Sequence, residues 1–183
     1  MKTLIINGSP RKNGDTAALT EHLKEHLLGE IKEIHTYDKK ISPCIDCRMC
    51  RTNQGCAIED EMQEIYSYLE VCDNVVIASP LYFTELTGSL LNVCSRLQTY
   101  FSSKYFRRES PLLSRKKGAV LLAAGGSSGC ENAYKTALCI LKCINAQDVY
   151  PAVFAGNTDT VTAKENREVL KAVRRAAEFL SSP

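Results

Sequence analysis

The stretch LIINGSPRKNGDTAAL, residues 4–19, largely decides how the fold is predicted. Its three apolar residues at 4–6 are typical of a buried strand, and Leu19 begins a helical repeat that continues at Leu23 and Leu27. Between strand and helix the chain runs through Gly, Ser, Pro, Arg and Asn. This passage is either a capped surface turn or a phosphate-binding loop, because free N–H groups at a helix N-terminus attract anions.

Strand and helix patterns alternate along the rest of the chain. Strands are predicted at 2–6, 31–37, 73–80, 118–126 and 147–155, and helices at 15–28, 61–70, 85–101, 130–144 and 163–181. Pro151 cannot donate a ladder hydrogen bond, which favours an edge position for the last strand. The alternation predicts a single α/β domain over 1–183, with a doubly wound, five-stranded parallel sheet covered by helices on both faces.

Composition excludes several classes of function. The formal charge is 23 − 21 = +2, so the chain carries no basic footprint for nucleic acid. No stretch approaches the roughly 18 apolar residues of a membrane span, nor the apolar run of a secretory signal. We therefore expect a cytoplasmic protein with neither nucleic-acid nor membrane partners. In a reducing compartment, nine Cys indicate metal or redox chemistry rather than disulfides.

Three loops follow the first, third and fourth predicted strands, at 7–16, 79–84 and 124–129. Ligands of parallel sheets bind beyond the carboxyl ends of the strands, so these loops are the candidate site. The first offers the backbone of Gly8, hydroxyls and the guanidinium of Arg11 to a phosphate. The second offers the aromatic side chains of Tyr82 and Phe83 to a flat ring, and the third offers close backbone approach through glycine.

Each loop alone also has a plain structural interpretation. The first could be a turn capped by Asp15 or Thr16, and the second a pair of core aromatics. The third could be a helix entry capped by Ser127 or Ser128. Taken together, a phosphate clamp, an aromatic support and a backbone edge at one end of a sheet predict a mononucleotide with a planar ring.

The segments NGSPRKNGDT, SPLYFTELTGSLLNVCSRL and AAGGSSG resemble the flavodoxin-like NADPH-dependent FMN reductases, and among them the iron–sulfur flavoproteins. The resemblance implies a flavodoxin-like fold and bound FMN. It places the phosphate at Ser9, Arg11, Asn13, Asp15, Thr16 and Ala17. It places the flavin ring against Pro80, Leu81, Tyr82 and Phe83, with Gly125 and Gly126 near the pyrimidine edge.

Two departures from the family pattern accompany this resemblance. Relatives often have Asn where Asp15 stands, and a carboxylate would repel a phosphate, so Asp15 could instead turn away and cap the helix. Relatives also often have Lys and Asp at the positions of Asn92 and Ser95, whereas Arg96 is retained. These differences concern helix packing or an interface rather than the flavin.

Four cysteines form the pattern C-x2-C-x2-C-x5-C at Cys44, Cys47, Cys50 and Cys56, inside an irregular Cys-rich loop at 38–60. Structural zinc usually separates two Cys pairs by a longer stretch, so zinc fits less well, although zinc or an empty site stays open. The run resembles the compact motif of the iron–sulfur flavoproteins, which implies a [4Fe–4S] cluster on these four residues.

The function expected from this pattern is electron transfer from NAD(P)H to FMN, and onward to an unknown acceptor. No acid–base residue is required for hydride transfer, and we assign no catalytic side chain. The alternatives are a non-enzymatic electron carrier reduced by ferredoxin and a metal-held binding module. The resemblance implies a homodimer or homotetramer, with the acceptor being ferredoxin or a small molecule.

Overall fold

Six strands form one parallel sheet in the computed structural model, which describes residues 1–182. The strands are β1 (Lys2–Asn7), β2 (Glu30–His35), β3 (Asn74–Pro80), β4 (Lys116–Ala123), β5 (Ala146–Val149) and β6 (Val153–Ala155). The helices are α1 (Asp15–His26), α2 (Met62–Val71), α3 (Gly88–Ser95), α4 (Gln98–Tyr105), α5 (Glu131–Cys143) and α6 (Arg167–Ser181). Within residues 1–182, no helix is both long and apolar enough to span a bilayer.

The strand order is β2-β1-β3-β4-β5, with β6 also paired to β4, and every pairing is parallel. This is the doubly wound, flavodoxin-like fold that the sequence predicts. The fifth predicted strand, 147–155, is two short strands on the same side of β4, interrupted around Pro151. Proline breaks the ladder because it has no N–H, and an edge strand tolerates the break.

Helices cover both faces of the sheet, and the alternation along β1 divides the core between them. Leu4 and Ile6 pack on the side of α2, α3 and α5, whereas Ile5 packs on the side of α1 and α6. All three side chains are fully buried. A strand buried on both faces reads as a continuous apolar run, which explains why β1 was recognisable from its sequence.

Two predicted helices, 85–101 and 163–181, differ from the structure by more than two residues at an end. The predicted helix 85–101 is divided into α3 and α4, because the N–H groups of Arg96 and Leu97 bond three residues back, to Val93 and Cys94. This tighter turn redirects the chain without proline or glycine, so periodicity could not reveal it. The last helix begins at Arg167 and not at 163. Asn166 is its N-cap, because the Asn166 side chain accepts a hydrogen bond from the Val169 N–H.

Candidate functional site

The sheet brings the three candidate loops to one edge. Asn7 at the end of β1 lies beside Ala78, and Pro80 at the end of β3 lies beside Ala123. Beyond the strands, the Gly8 N–H donates to the Ala78 carbonyl at 2.8 Å, and the Leu81 N–H to the Ala123 carbonyl at 2.8 Å. The strand order reverses between β1 and β3, which is where doubly wound sheets hold their ligands.

The first loop is held against α3 at Gly8. A β-carbon on Gly8 would lie 2.7 Å from Thr87 Oγ1 and 2.8 Å from the β-carbon of Leu90. The Thr87 hydroxyl donates to the Gly8 carbonyl at 2.8 Å. Glycine is therefore required here for close packing between the loop and α3, a role additional to ligand approach.

A buried hydrogen-bond relay shapes the next residue of this loop. The Ser9 N–H donates to Asn7 Oδ1 at 2.8 Å, and Asn7 Nδ2 donates to Glu33 Oε1 at 2.8 Å. Lys24 Nζ approaches Glu33 Oε2 at 2.7 Å. Burial acts to raise the pKa of Glu33, but the hydrogen bonds from Asn7 and Lys24 outweigh it and leave that pKa lowered.

The remaining residues of the predicted phosphate loop surround the start of α1. Arg11 and Asn13 are exposed, and a β-carbon on Gly14 would lie 3.3 Å from Arg11 Nε. Gly14 is the N-cap, and no side chain caps the helix, so the predicted caps Asp15 and Thr16 are wrong. The N–H groups of Asp15, Thr16 and Ala17 precede the first helical bond, from the Ala18 N–H to the Gly14 carbonyl at 3.0 Å.

The Asp15 carboxylate is engaged away from this loop. Its Oδ1 accepts a hydrogen bond from the Ala163 N–H at 2.8 Å, which ties α1 to the segment before α6. This hydrogen bond agrees with the alternative that the Asp15 carboxylate turns away from the loop, whereas the Asp15 N–H stays at the start of α1. Nearby, Lys12 Nζ lies 2.9 Å from Asp38 Oδ2, and this hydrogen bond lowers the pKa of Asp38.

The second loop is a tight turn that carries its aromatic side chains outward. Tyr82 and Glu85 exchange backbone hydrogen bonds of 2.9 and 3.1 Å, and Phe83 and Thr84 have φ of 53° and 63°. Two central residues with positive φ define a type I′ turn. The Phe83 side chain is fully exposed and Tyr82 is 47% exposed, so the interpretation as core aromatics is wrong. Pro80 and Leu81, at the base of the turn, are half-buried.

The third loop lies against a segment that sequence reasoning missed. The N–H groups of 157, 158 and 159 donate to the carbonyls of 126, 124 and 125. A β-carbon on Gly125 would lie 2.5 Å from Asp159 Oδ2, whereas one on Gly126 would meet nothing within 4 Å. The N-cap of α5 is Cys130, so neither predicted serine cap forms. Asp159 lies far along the chain from this loop, and no local motif could have revealed it.

The four clustered cysteines line a single cavity of about 120 Å³ together with Arg96 and Phe101. Cys44 and Cys47 are exposed, and Cys50 and Cys56 are half-buried. Four thiols opening into one cavity suit a compact metal centre. Within residues 1–182, His22, Glu25 and His26 are the one set of three or more His, Cys, Asp or Glu side chains whose ligand atoms all lie within 4.8 Å of one another.

The strand order and the positions of the three loops place this chain in the class of flavodoxin-like α/β proteins. Residues 1–160 match the family model described as NADPH-dependent FMN reductase, and the chain belongs to that family. It is similar to an iron–sulfur flavoprotein of Methanocaldococcus jannaschii, with 31% identity over 134 residues, which are 72% of this chain and 66% of that protein. The matched part of the chain spans 56–66% of the length of three curated iron–sulfur flavoproteins that it resembles, this one included.

Solved structures share the fold at lower identity. The NAD(P)H:quinone oxidoreductase from Methanothermobacter marburgensis superposes with a TM-score of 0.78 at 17% identity, covering 100% of this chain and 98% of that one. An FMN-dependent NADH-azoreductase from Bacillus anthracis, solved in complex with FMN, gives a TM-score of 0.69 at 21% identity, with 100% of both chains covered. These similarities establish the flavodoxin-like architecture.

Proposed function

We propose that this protein binds FMN across the three loops and transfers electrons from NAD(P)H to a small-molecule or protein acceptor. The observation that supports this most strongly is that three loops of distinct chemistry share one edge of the sheet, at the ends of β1, β3 and β4. In a member of the FMN reductase family, this is the place where a phosphate, a ring and a polar ring edge can be bound together.

The residues divide the binding between them. Arg11 and the backbone N–H groups at the start of α1 bind the phosphate, and Ser9 and the relay to Glu33 hold the loop in shape. Asn13, Thr16 and Ala17, which surround the start of α1, contact the same phosphate in this proposal. Pro80, Leu81, Tyr82 and Phe83 form the wall for the ring, and Gly125 and Gly126 approach its pyrimidine edge.

FMN, when bound, supplies the ability to accept a hydride and to release electrons singly or in pairs. The protein orients the ring and leaves one face open for a nicotinamide. The exposed aromatic side chains of Tyr82 and Phe83 are available to pack against the bound ring. No side chain needs to donate or accept a proton for hydride transfer, and none is assigned a catalytic role.

We further propose that Cys44, Cys47, Cys50 and Cys56 hold a [4Fe–4S] cluster. All four cysteines line one cavity, their spacing resembles the compact motif of the iron–sulfur flavoproteins, and the chain is similar to proteins of that name. The cluster supplies one-electron transfer. Exposure of Cys44 and Cys47 favours a second candidate function, a carrier that delivers electrons to a docked protein such as ferredoxin or is reduced by it.

Anaerobic purification and reconstitution with FMN, iron and sulfide tests these proposals together. We expect one FMN and about four iron atoms per chain, and bleaching near 450 nm when NADPH or NADH is added. A yellow protein that neither nicotinamide reduces, but that reduced ferredoxin bleaches, would replace the reductase by the carrier. A colourless protein that binds one zinc ion per chain would support the metal-held binding module.

A further inference from the structure

Arg96 is buried at the junction between α3 and α4, directly beside the cysteine cavity. Its side chain has no exposed surface. Nη1 donates to the Ser42 carbonyl at 3.0 Å and to Asp60 Oδ2 at 2.8 Å, and Nη2 donates to the Ile58 carbonyl at 2.8 Å. Nε donates to Cys56 Sγ at 3.2 Å. All four acceptors belong to residues 42–60, so one guanidinium binds both ends of the Cys-rich loop.

A buried guanidinium destabilises the fold unless it is paired and hydrogen-bonded. Asp60 is the one carboxylate among its acceptors. Burial acts to raise the pKa of Asp60, but the hydrogen bonds from Arg96 and from the Ser42 and Met62 N–H groups together leave it lowered. The remaining bonds go to two carbonyls and a cysteine sulfur. Because one of these bonds ends on Cys56 Sγ, the Arg96 guanidinium also holds the Cys56 side chain in place.

A second donor from the same region reaches another cysteine. Ser102 Oγ lies 3.3 Å from Cys50 Sγ, and a thiolate sulfur can only accept that hydrogen bond. Thr99 Oγ1 donates to the Gly55 carbonyl at 3.0 Å, which fixes the turn before Cys56. The two half-buried cysteines of the cavity therefore face donors from the segment 96–102, whereas Cys44 and Cys47 are exposed.

We propose that Arg96 is the positioning residue of the cysteine centre and that its N–H···S bond and positive charge raise the reduction potential of a cluster held there. Hydrogen bonds to the sulfurs and the net charge nearby are two determinants of cluster potential, because both stabilise the more negative, reduced form. Reduction adds one electron to the cluster and makes or breaks no bond to Arg96, which stays protonated. This inference rests on the proposed function of the four cysteines as cluster ligands.

The test compares variants reconstituted anaerobically with iron and sulfide. Arg96→Gln removes the charge and leaves Asp60 unpaired, so we expect fewer iron atoms per chain and a more negative potential. Arg96→Lys keeps the charge but loses most of the hydrogen bonds, and should give an intermediate potential. Adding Asp60→Asn to Arg96→Gln should shift the potential back upward, because it removes the unpaired carboxylate. Electron paramagnetic resonance during a dithionite titration measures each potential.

Two further variants keep the test decisive. Ser102→Ala removes only the hydroxyl beside Cys50 and should lower the potential, by less than Arg96→Gln does. Its potential can be measured against that of the unaltered protein even if Arg96→Gln does not fold. Arg115→Gln is the matched control, since Arg115 is exposed and pairs with Asp148 at 2.8 Å. Its iron content and potential should equal those of the unaltered protein.

The outcomes separate the two levels of inference. An unaltered protein that takes up no iron contradicts the proposed cluster, and the role of Arg96 with it. A fully loaded unaltered protein whose potential and iron content are unchanged in Arg96→Lys and Ser102→Ala contradicts the role of these donors alone. Melting temperatures of the iron-free proteins show whether a variant has simply lost its fold.

Discussion

Arg11 carries the one guanidinium of the loop that joins β1 to α1, and its position against Gly14 leaves it exposed above the helix start. A guanidinium can bind phosphate oxygens through two parallel hydrogen bonds. Its neighbour Lys12 is also cationic but is paired with Asp38 at 2.9 Å. The two adjacent residues therefore provide a test of which charge serves the ligand.

Arg11→Ala should weaken FMN binding by about 10- to 100-fold, the worth of a charge-assisted contact of about 1.5–3 kcal/mol. Quenching of flavin fluorescence on titration of the FMN-free protein measures this change. Lys12→Ala, the control, should alter the Kd by less than about threefold, since an exposed ion pair contributes little. Unchanged affinity in Arg11→Ala would place the phosphate elsewhere, and an equal loss in both variants would contradict a specific role for Arg11.

At the scale of elements, the contact between the first loop and α3 depends on a missing side chain. Gly8→Ala places a β-carbon 2.7 Å from Thr87 Oγ1 and 2.8 Å from the Leu90 β-carbon. Overpacking of this kind should lower the free energy of unfolding by about 1–3 kcal/mol, measured by urea denaturation. Gly88→Ala meets nothing within 4 Å and should change it by no more than about 1 kcal/mol.

Glu33 links three elements, because it accepts from Asn7 at the end of β1 and from Lys24 of α1. Its folded pKa is lowered, so its contribution to stability is present above its unfolded pKa and is lost as pH falls through the folded value. Glu33→Gln should therefore cost about 1–2 kcal/mol near neutral pH, with the difference from the unaltered protein vanishing in acid.

Urea denaturation at a series of pH values measures this difference. Glu21→Gln is the matched control, because Glu21 pairs with the same Lys24 but its side chain is 66% exposed. It should change stability by less than about 1 kcal/mol at every pH. A cost of Glu33→Gln that persists unchanged below the folded pKa would contradict the relay.

The pattern of apolar residues predicted the strands and helices well wherever burial requires apolar side chains. The buried runs of β1, β3 and β4 and the loops that follow them were recognisable because both faces of the sheet are covered. The division between α3 and α4 was missed because a turn at Arg96 and Leu97 interrupts no apolar repeat. Partners distant in sequence, such as Ala163 for Asp15 and Asp159 for Gly125, depend on how the chain folds back and leave no trace in spacing.

At the scale of the whole molecule, α4 and the residues after it carry a group of aromatic side chains open to solvent. Phe101, Tyr105 and Phe106 are 41–59% exposed, and Phe101 stacks on Tyr105 with ring centroids 4.5 Å apart. Exposed aromatic patches of this kind are enriched at protein interfaces. They support the prediction of a homodimer or homotetramer.

Sedimentation should give a mass of two or four chains for the unaltered protein. The double variant Phe101→Ser/Tyr105→Ser should shift it toward one chain, since these rings would lose their burial against a second copy. Leu28→Ser is the control, because Leu28 is 66% exposed and follows α1 instead of belonging to α4. Its mass should stay unchanged, and a monomeric unaltered protein would contradict the prediction.

The central claim concerns a phosphate seated where β1 passes into α1, and riboflavin, which lacks that phosphate, tests it most directly. Fluorescence titration of the flavin-free protein with each ligand gives the two dissociation constants. Several charge-assisted bonds to the phosphate predict a Kd for FMN at least about 100-fold below that for riboflavin. Equal affinities for the two flavins, or no binding of either, would contradict the phosphate site at residues 8–17.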